Sequence, residues 1–473
     1  MNLKKAKRTK IVATIGPATE SKRQLLRLMR AGMDVARLNF SHGDFAEHGA
    51  RIDNIREIEK EYGIKTAILQ DLGGVKIRIG DFVDGEVVLK RGQEFTLTTK
   101  KIVGDQDKVY INYKKLPKEI EVGQKILLDD GTKELKTVAI KGDEVITKVV
   151  NGGMIRSRRG VNIPNARLSV EALTKKDKRD LQFGMEKGVD FVAISFVRQA
   201  KDILQLRKIL EKNNSAAQIV AKIETPEAIE NIDEIISATD VIMVARGDLA
   251  VEVPAQEVPH LQRMIIKKCQ IKGKPVIVAT QMMESMIKNP VPTRAEVGDV
   301  SNAILNGTDA IMLSAETTVG DFPVETVKMM TEIAKRTEEE IKYTEVTDNE
   351  KYTKETVNAI ARSAIKTAAD IEAEYIVVLT ESGFSARKIS RYRPSQKIIA
   401  LTPNETTCAQ LRISYGCYSG KIKVAKTIAK TLKEVRKVLV SRDIVKKGDK
   451  ILFVAGVPFG KRGTTNMIIV EEI

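Results

Sequence analysis

A chain of 473 residues exceeds what one hydrophobic core ordinarily serves, and its 42% hydrophobic content is that of a globular protein, so two or three domains are expected. The formal charge of +16 would suit a polyanion, but lysines alternate with glutamates along the whole chain, as in "EKEYGIK" and "KRTEEEIK"; aromatics are 4% and Trp is missing, which argues against nucleic-acid binding. A basic surface of this kind suits small phosphorylated compounds instead. Cys269, Cys408 and Cys417 stand in neither a CxxC nor a Cys/His spacing and read as buried reduced thiols, which leaves out zinc and disulfide chemistry.

The opening "MNLKKAKRTK" runs straight into "IVATIGP" without an apolar leader, and no stretch approaches the roughly 18 apolar residues of a membrane span, so a cytoplasmic chain without membrane association is expected. Short apolar runs of strand length then alternate with amphipathic helical stretches. In order they are "KIVATIG", "DVARLNF", "TAILQD", "DFVAISF", "QIVAKIE", "DVIMVAR", "PVIVATQ" and "DAIMLSAE". Eight such runs, rich in β-branched residues and alternating with helices, predict a parallel (β/α)8 TIM barrel. Each run closes on polar side chains: Thr14, Arg37 with Asn39, Asp71, Ser195, Lys222 with Glu224, Arg246 with Asp248, Thr280, and Ser314 with Glu316. Any one of these is a strand ending in solvent. Together, at the C-terminal rim of one barrel, they would converge on a single site.

Between the third and fourth runs, from about residue 79 to 167, alternating Val, Ile and Thr are punctuated by "VDGE", "DDGT", "VNGG" and "RRG" turns. This predicts an inserted antiparallel β domain, a small β-barrel placed at the rim as a lid that excludes water. The catalytic barrel would then comprise residues 1–78 and 168–344. After it, the helical pattern "TVNAIARSAIKTAADI" and the strands "YIVVLT", "KIIALT" and "KILFVAG" predict an open-sheet α/β domain over residues 345–473, suited to regulation.

The ordered set "KIVATIGPAT", "VARLNFSHG", "RGVNIPNA", "SFVR", "AKIETPEAIEN", "ARGDLAVE", "ATQMMESM", "PTRAEVGDVSNAILNGTDAIMLSAET" and "VAGVPFGKRGTTNMI" resembles the pyruvate kinase family from end to end. That resemblance implies a glycolytic phosphotransferase that moves the phosphoryl group of phosphoenolpyruvate to ADP, giving pyruvate and ATP, with Mg²⁺ or Mn²⁺ and usually as a homotetramer. Glu224 and Asp248 offer two carboxylates at neighbouring rim positions, enough for a hard divalent cation whose remaining ligands are substrate oxygens and water. By resemblance they are the family's metal ligands. The amides of Gly247 and Asp248 would meet the substrate carboxylate at a helix start. Lys222 is the cation expected to stabilise the migrating phosphoryl group, with Arg37 and Arg78 as further phosphate contacts. Protonation of the enolate falls to Thr280 as a relay member, helped by Ser314 and Glu316. Nucleotide contacts carried over from the family fall on Pro17, Asn39, His42, Arg78 and Arg159, whereas His48 and His260 read as packing or surface residues.

The stretch "DLGGVKIR" stands where the common form of the family resembles D-T-K-G-P-E-I-R and holds K⁺. The corresponding ligands here are Asn39, Ser41, Asp71 and the carbonyl of Leu72. Lys76 takes the glutamate position and Leu72 the threonine position, as in the branch that does not require K⁺, so an ammonium set against Asp71 and the phosphate is expected to replace the ion. Ala250 and Ala315 stand where glycine is common, which leaves their effect on substrate affinity open. In the last domain Thr380, Ser382, Gly383 and Ser385, with Phe384 at an often polar position, resemble an effector loop for a phosphorylated compound and serve equally as an ordinary strand-to-helix turn. Lys461 and Arg462 would form its second wall. Two rival readings stand beside this one: another phosphoenolpyruvate or 2-oxoacid barrel enzyme, which would have no reason to carry both added domains, and a catalytically silent homologue, against which the intact Arg37, Lys222, Glu224, Asp248 and Thr280 argue.

Overall fold

Residues 3, 6–164, 166, 168–341, 355–425, 427–458 and 464–473 are described in the computed structural model. The eight apolar runs become strands β1 (Lys10–Thr14), β2 (Val35–Asn39), β3 (Ala67–Asp71), β4 (Phe191–Ile194), β5 (Gln218–Ile223), β6 (Val241–Ala245), β7 (Val276–Ala279) and β8 (Ala310–Leu313). They close in the order β1-β8-β7-β6-β5-β4-β3-β2 with all the neighbours parallel. Side chains alternate across each strand, so Val12, Val35, Leu69, Phe191, Val220, Met243 and Ile277 fill the interior, while Ile11, Ile68, Val192, Ile219 and Val278 pack outward against the helices. Both faces are therefore apolar, which is why the runs read as nearly continuous.

The helices begin where the sequence supplies caps. Ser21 accepts the Gln24 amide at the start of Lys22–Ala31, and Thr174 with Asp177 and Thr293 with Glu296 form capping boxes before Lys175–Glu186 and Arg294–Leu305. The lower mouth of the barrel is stoppered by Ile413, which comes from the last domain and is fully buried among the interior residues.

The segment between β3 and β4 has its own core around Phe95, Leu97, Ile126, Leu128 and Leu135. Its hydrogen bonding forms a six-stranded sheet and a two-stranded ribbon in place of the expected single closed β-barrel. The break falls at Gly152 and Gly153: a Cβ on Gly152 would lie 2.2 Å from the carbonyl oxygen of Leu89, and Gly153 has φ +125°. There the chain leaves one sheet and pairs Gly153–Arg156 with Glu86–Leu89. The expectation of purely antiparallel pairing also needs correction, since Glu94–Thr98 and Lys108–Tyr110 run parallel.

The last domain has the expected helix Thr356–Asp370 and an open sheet in which Tyr375–Leu379, Lys397–Thr402 and Lys450–Ala455 are central. Two unpredicted strands form its edges, Cys417–Lys421 parallel to its neighbour and Met467–Glu472 antiparallel. All three cysteines are free and buried. Among the described residues no helix is long and apolar enough to cross a membrane.

Candidate active site

At the C-terminal rim four charged groups from three strands lock together. Asp71 accepts from Arg37 Nε at 2.7 Å and lies 3.5 Å from Lys222 Nζ, which in turn is 2.9 Å from Glu224 Oε1. Asp71 and Glu224 are each 1% exposed at the side chain and Lys222 12%, so these charges are held out of bulk water and paired with one another, although Asp71 Oδ1 has no hydrogen bond among the described residues. Burial alone would lower the pKa of Lys222, but Asp71 and Glu224 outweigh it and raise it, keeping the ammonium charged. Burial would raise the pKa of Asp71, yet Lys222 and Arg37 hold it below the ordinary carboxylate value. Glu224 is pushed up by its burial, against the pull of Lys222, and further by the carboxylate of Asp248. Arg37 also donates from Nη1 to Thr14 Oγ1 at 2.8 Å, and Thr14 donates on to the carbonyl of Leu313 at 2.8 Å. The guanidinium is thereby fixed in orientation, and its Nη2 makes no hydrogen bond among the described residues.

The corner after β4 orients this cluster, and sequence reasoning placed Ser195 only as a polar strand end. Lys222 Nζ donates to Ser195 Oγ at 2.8 Å, and the hydroxyl donates to the carbonyl of Leu72 at 2.9 Å. The amide of Phe196, a residue held at φ 53°, donates to Glu224 Oε2 at 2.7 Å. Two consecutive residues thus aim the lysine and the glutamate. A left-handed conformation at a bulky residue is strained and persists where the surroundings dictate it.

Beside this cluster, helix Arg246–Glu252 starts directly after β6, the strand paired with β5. The Gly247 amide donates to Thr280 Oγ1 at 2.7 Å, and that hydroxyl donates to the Ala279 carbonyl at 2.6 Å. Thr280 sits at φ 71°, an unfavourable value for a β-branched residue. Arg246 supports it by donating to the Thr280 carbonyl at 2.8 Å while pairing with Asp299 at 2.7 Å. Arg246 is therefore engaged elsewhere, and Asp248 stands exposed with no salt bridge among the described residues. Glu316 is 2% exposed and accepts from the amides of Ser314 at 2.7 Å and Met283 at 3.1 Å, so it ties the loop after β7 to the loop after β8. Burial raises its pKa against those bonds.

Glu224 and Asp248 suit a divalent cation: two carboxylates within electrostatic reach of one another, each from a different strand end. Among the described residues no group of three or more His, Cys, Asp or Glu forms a cage, so substrate oxygens and water would complete the coordination. The residues expected to hold a monovalent cation are arranged otherwise. Asn39 Oδ1 accepts the Ser41 amide at 3.1 Å, the Leu72 carbonyl takes the Ser195 hydroxyl, and the Leu72 side chain is 1% exposed in the barrel core. Lys76 is exposed and forms no ion pair with Asp71, which corrects the expectation that it faces that carboxylate: Arg37 and Lys222 already neutralise Asp71. The charge of Lys76 acts on His42, whose pKa is lowered first by partial burial and then by Lys76 and Arg78.

A cavity of ≈ 470 Å³ lies between the barrel rim and the inserted segment, walled by Lys76, Arg78, Arg159, Asp248 and Glu252 among others. Arg159 pairs with Asp129 at 3.4 Å, and Asn162 bridges the two sides by donating to Glu252 at 2.7 Å. Pro17 and His42 are exposed outside its walls. His48 stacks on Phe40 at 4.0 Å, and His260 is an exposed helix residue. Ala250 and Ala315 both lie in helices without positive φ, so the methyl that replaces the family's hydrogen costs no backbone strain. In the last domain Gly383 takes φ 78° at the start of helix Phe384–Ser390, while Ser385 turns inward to share a 2.6 Å hydrogen bond with Thr465 and is no longer a free cradle hydroxyl. Lys461 and Arg462 lie outside the described residues.

The family "Pyruvate kinase, barrel domain" matches residues 6–327, and "Pyruvate kinase, alpha/beta domain" matches residues 358–471. The chain is 45% identical over 472 residues to the pyruvate kinase of Geobacillus stearothermophilus, covering 99% of this chain and 80% of that one. To the pyruvate kinase of Clostridium perfringens it is 44% identical, covering 98% of this chain and 100% of the other. Among solved structures, a pyruvate kinase from Cryptosporidium parvum superposes with a TM-score of 0.94 at 34% identity, covering 100% of this chain and 97% of its own. With matches across both its barrel and its last domain, and with the rim charges those domains would present, the chain belongs to the pyruvate kinase family of phosphotransferases.

Proposed function

We propose that this chain transfers the phosphoryl group of phosphoenolpyruvate to ADP at the barrel rim, with the Arg37–Asp71–Lys222–Glu224 cluster as its chemical centre. The observation that carries this is the partly buried, charged ammonium of Lys222, held by two carboxylates and a hydroxyl of the protein itself. The bond between phosphorus and the enol oxygen breaks as a β-phosphate oxygen of ADP attacks phosphorus, leaving ATP and the enolate of pyruvate. Lys222 and Arg37 stabilise the charge on the migrating group, and they are already oriented, so little reorganisation accompanies the step. Glu224 and Asp248 are the residues that would hold Mg²⁺ or Mn²⁺, which would supply positive charge to neutralise phosphate and carboxylate oxygens. The Asp248 amide receives the substrate carboxylate, and the Gly247 amide, which here donates to Thr280 Oγ1, would join it only by giving up that bond. Thr280 carries a proton toward the enolate carbon as part of a relay supported by Ser314 and Glu316.

The nucleotide lies in the cavity under residues 79–167, against Arg78 and Arg159, with Pro17, Asn39 and His42 at its edge; this supports the division into a barrel (1–78 and 168–344), a lid (79–167) and a regulatory domain (345–473). Kinship with the family supports a cytoplasmic homotetramer whose loop Thr380–Ser385 takes a phosphorylated effector. Independence from K⁺ is supported by Leu72, which removes a side-chain oxygen, and by the occupied Asn39 Oδ1, Asp71 Oδ2 and Leu72 carbonyl. Lys76 supplies its charge at the cavity wall, towards the phosphate. Pyruvate formation from phosphoenolpyruvate and ADP is measured with Mg²⁺ or Mn²⁺ in K⁺ and in tetramethylammonium at matched ionic strength. Equal turnover in both is expected, with K⁺ dependence emerging in Lys76→Glu. No turnover with either metal refutes the reaction, and a large K⁺ activation of the wild type refutes the role of Lys76.

A further inference from the structure

At the opposite end of the barrel from the rim, a second cluster of charges is not balanced. Lys274 precedes β7 and Asp309 precedes β8, so both lie at the lower mouth. There they meet Arg387, Arg391, Arg393 and Ser414 of the last domain around a cavity of ≈ 10 Å³. That is the least room one water needs, so a halide, being larger, enters only as the arginine ends around it give slightly. Four cations and one carboxylate line the cavity, and of the cations Lys274 donates to the Thr239 carbonyl and Arg391 to the Ile271 carbonyl and Asn358, which are neutral acceptors. Asp309 has no bonding capacity left to offer: its oxygens take Arg393 at 3.0 and 2.8 Å and the amides of Tyr415 at 3.0 Å and Val276 at 3.1 Å. Asp240, outside the lining, acts on Lys274 and Arg387 while its Oδ2 takes Arg207 at 3.0 Å and the Ile219 amide at 2.9 Å.

Among the described residues, three donors on the lining side chains are shut off from solvent and reach no acceptor: Arg387 Nη1, Arg393 Nε and Ser414 Oγ. Ser414 is 1% exposed, so its hydroxyl has no bulk water to turn to. Burial lowers the pKa of both Lys274 and Arg387, and although Asp240 opposes this, each stays below its ordinary value. Buried donors without acceptors and buried charge of one sign are both costly, and one small anion removes both costs at once.

We infer that this cavity binds a single monovalent inorganic anion of chloride size, bridging the base of the barrel and the helix Phe384–Ser390 of the last domain. Arg387 also donates from Nη2 to the Ser382 carbonyl at 3.0 Å, so the bound ion steadies the turn that precedes that helix. The site is separate from the rim and involves none of the groups assigned to phosphoryl transfer.

The test uses the full-length protein. Its melting temperature is followed in sodium chloride, sodium bromide and sodium gluconate at equal ionic strength, and crystals grown in bromide are examined by anomalous scattering. A saturable rise of about 3 °C in chloride and bromide over gluconate is expected for an ion present at roughly ten times its dissociation constant. An anomalous peak within hydrogen-bond distance of the lining donors is expected alongside it, and Lys274→Met and Ser414→Ala should each shrink the halide response. Equal melting in all three salts overturns the inference, as does a water in the cavity with no bromide peak. A halide response undiminished in Ser414→Ala and Lys274→Met places the ion elsewhere and overturns it too.

Discussion

Replacing Asp71 by Asn tests whether the rim cluster is a balanced unit. The substitution keeps shape and removes one negative charge from a side chain that is 1% exposed and touches two cations, Arg37 at 2.7 Å and Lys222 at 3.5 Å. The amide nitrogen it introduces must face one of those cations, with Glu224 and, less closely, Asp248 left to compensate. Breaking a buried pair by removing one partner costs about 3–5 kcal/mol, because the surviving charge stays buried. At about 2–4 °C per kcal/mol, the barrel should melt roughly 10 °C lower by calorimetry. Turnover should fall by more: Lys222 loses one of its two carboxylates and Arg37 its anchor, and misaiming a single group that stabilises the transition state costs on the order of 100-fold in kcat. A variant that melts within 2 °C of the wild type and turns over within about threefold of it would refute the claim that Asp71 organises the site.

Three other perturbations separate positioning from packing and from charge. Ser195→Ala removes the hydroxyl between Lys222 and the Leu72 carbonyl; a charge-assisted hydrogen bond that matters in the transition state should lower kcat about 10- to 100-fold with KM for phosphoenolpyruvate nearly unchanged, as steady-state kinetics would show. The Asp34 carboxyl, which burial would raise, is held below the ordinary carboxylate value by Lys7 and Lys10. Its contribution to stability is therefore present above the unfolded-state pKa of about 3.9 and lost as pH falls through the lower folded value, so thermal melts of Asp34→Asn should decline less steeply with acid than the wild type. Deleting the charge of Glu252, which accepts from Asn162 at 2.7 Å across the cavity, should weaken ADP more than phosphoenolpyruvate; equal loss for both in initial-rate assays of Glu252→Ala would contradict a lid role for that contact.

The barrel was legible because its strands are covered on both faces, so periodicity reduces to runs such as "DVIMVAR" and "PVIVATQ", and because polar residues fall at their ends. The edge strands of the last domain were not. Cys417–Lys421 carries Ser, Gly and Lys, a composition without strand preference, and pairs on one side alone. Within the site, the residue types at the rim were readable but their partners were not. That Ser195 links Leu72 to Lys222, or that Arg246 turns to Asp299 and leaves Asp248 alone, depends on contacts between residues far apart in the chain. The same holds for Lys76, whose charge and neighbours in sequence suggested Asp71, while the fold gives that carboxylate to Arg37 and Lys222.

The most direct measurement of the central claim is single-turnover phosphoryl transfer from phosphoenolpyruvate to ADP by Lys222→Met, with Mn²⁺ and substrate binding followed in the same samples. The side chain is nearly isosteric, and the charge it removes is needed most in the transition state. A fall in the transfer rate of about 10³-fold or more, with metal and phosphoenolpyruvate still bound, is the expected result. Transfer at close to the wild-type rate would contradict the assignment of Lys222 and, with it, the reading of the rim cluster as the chemical centre.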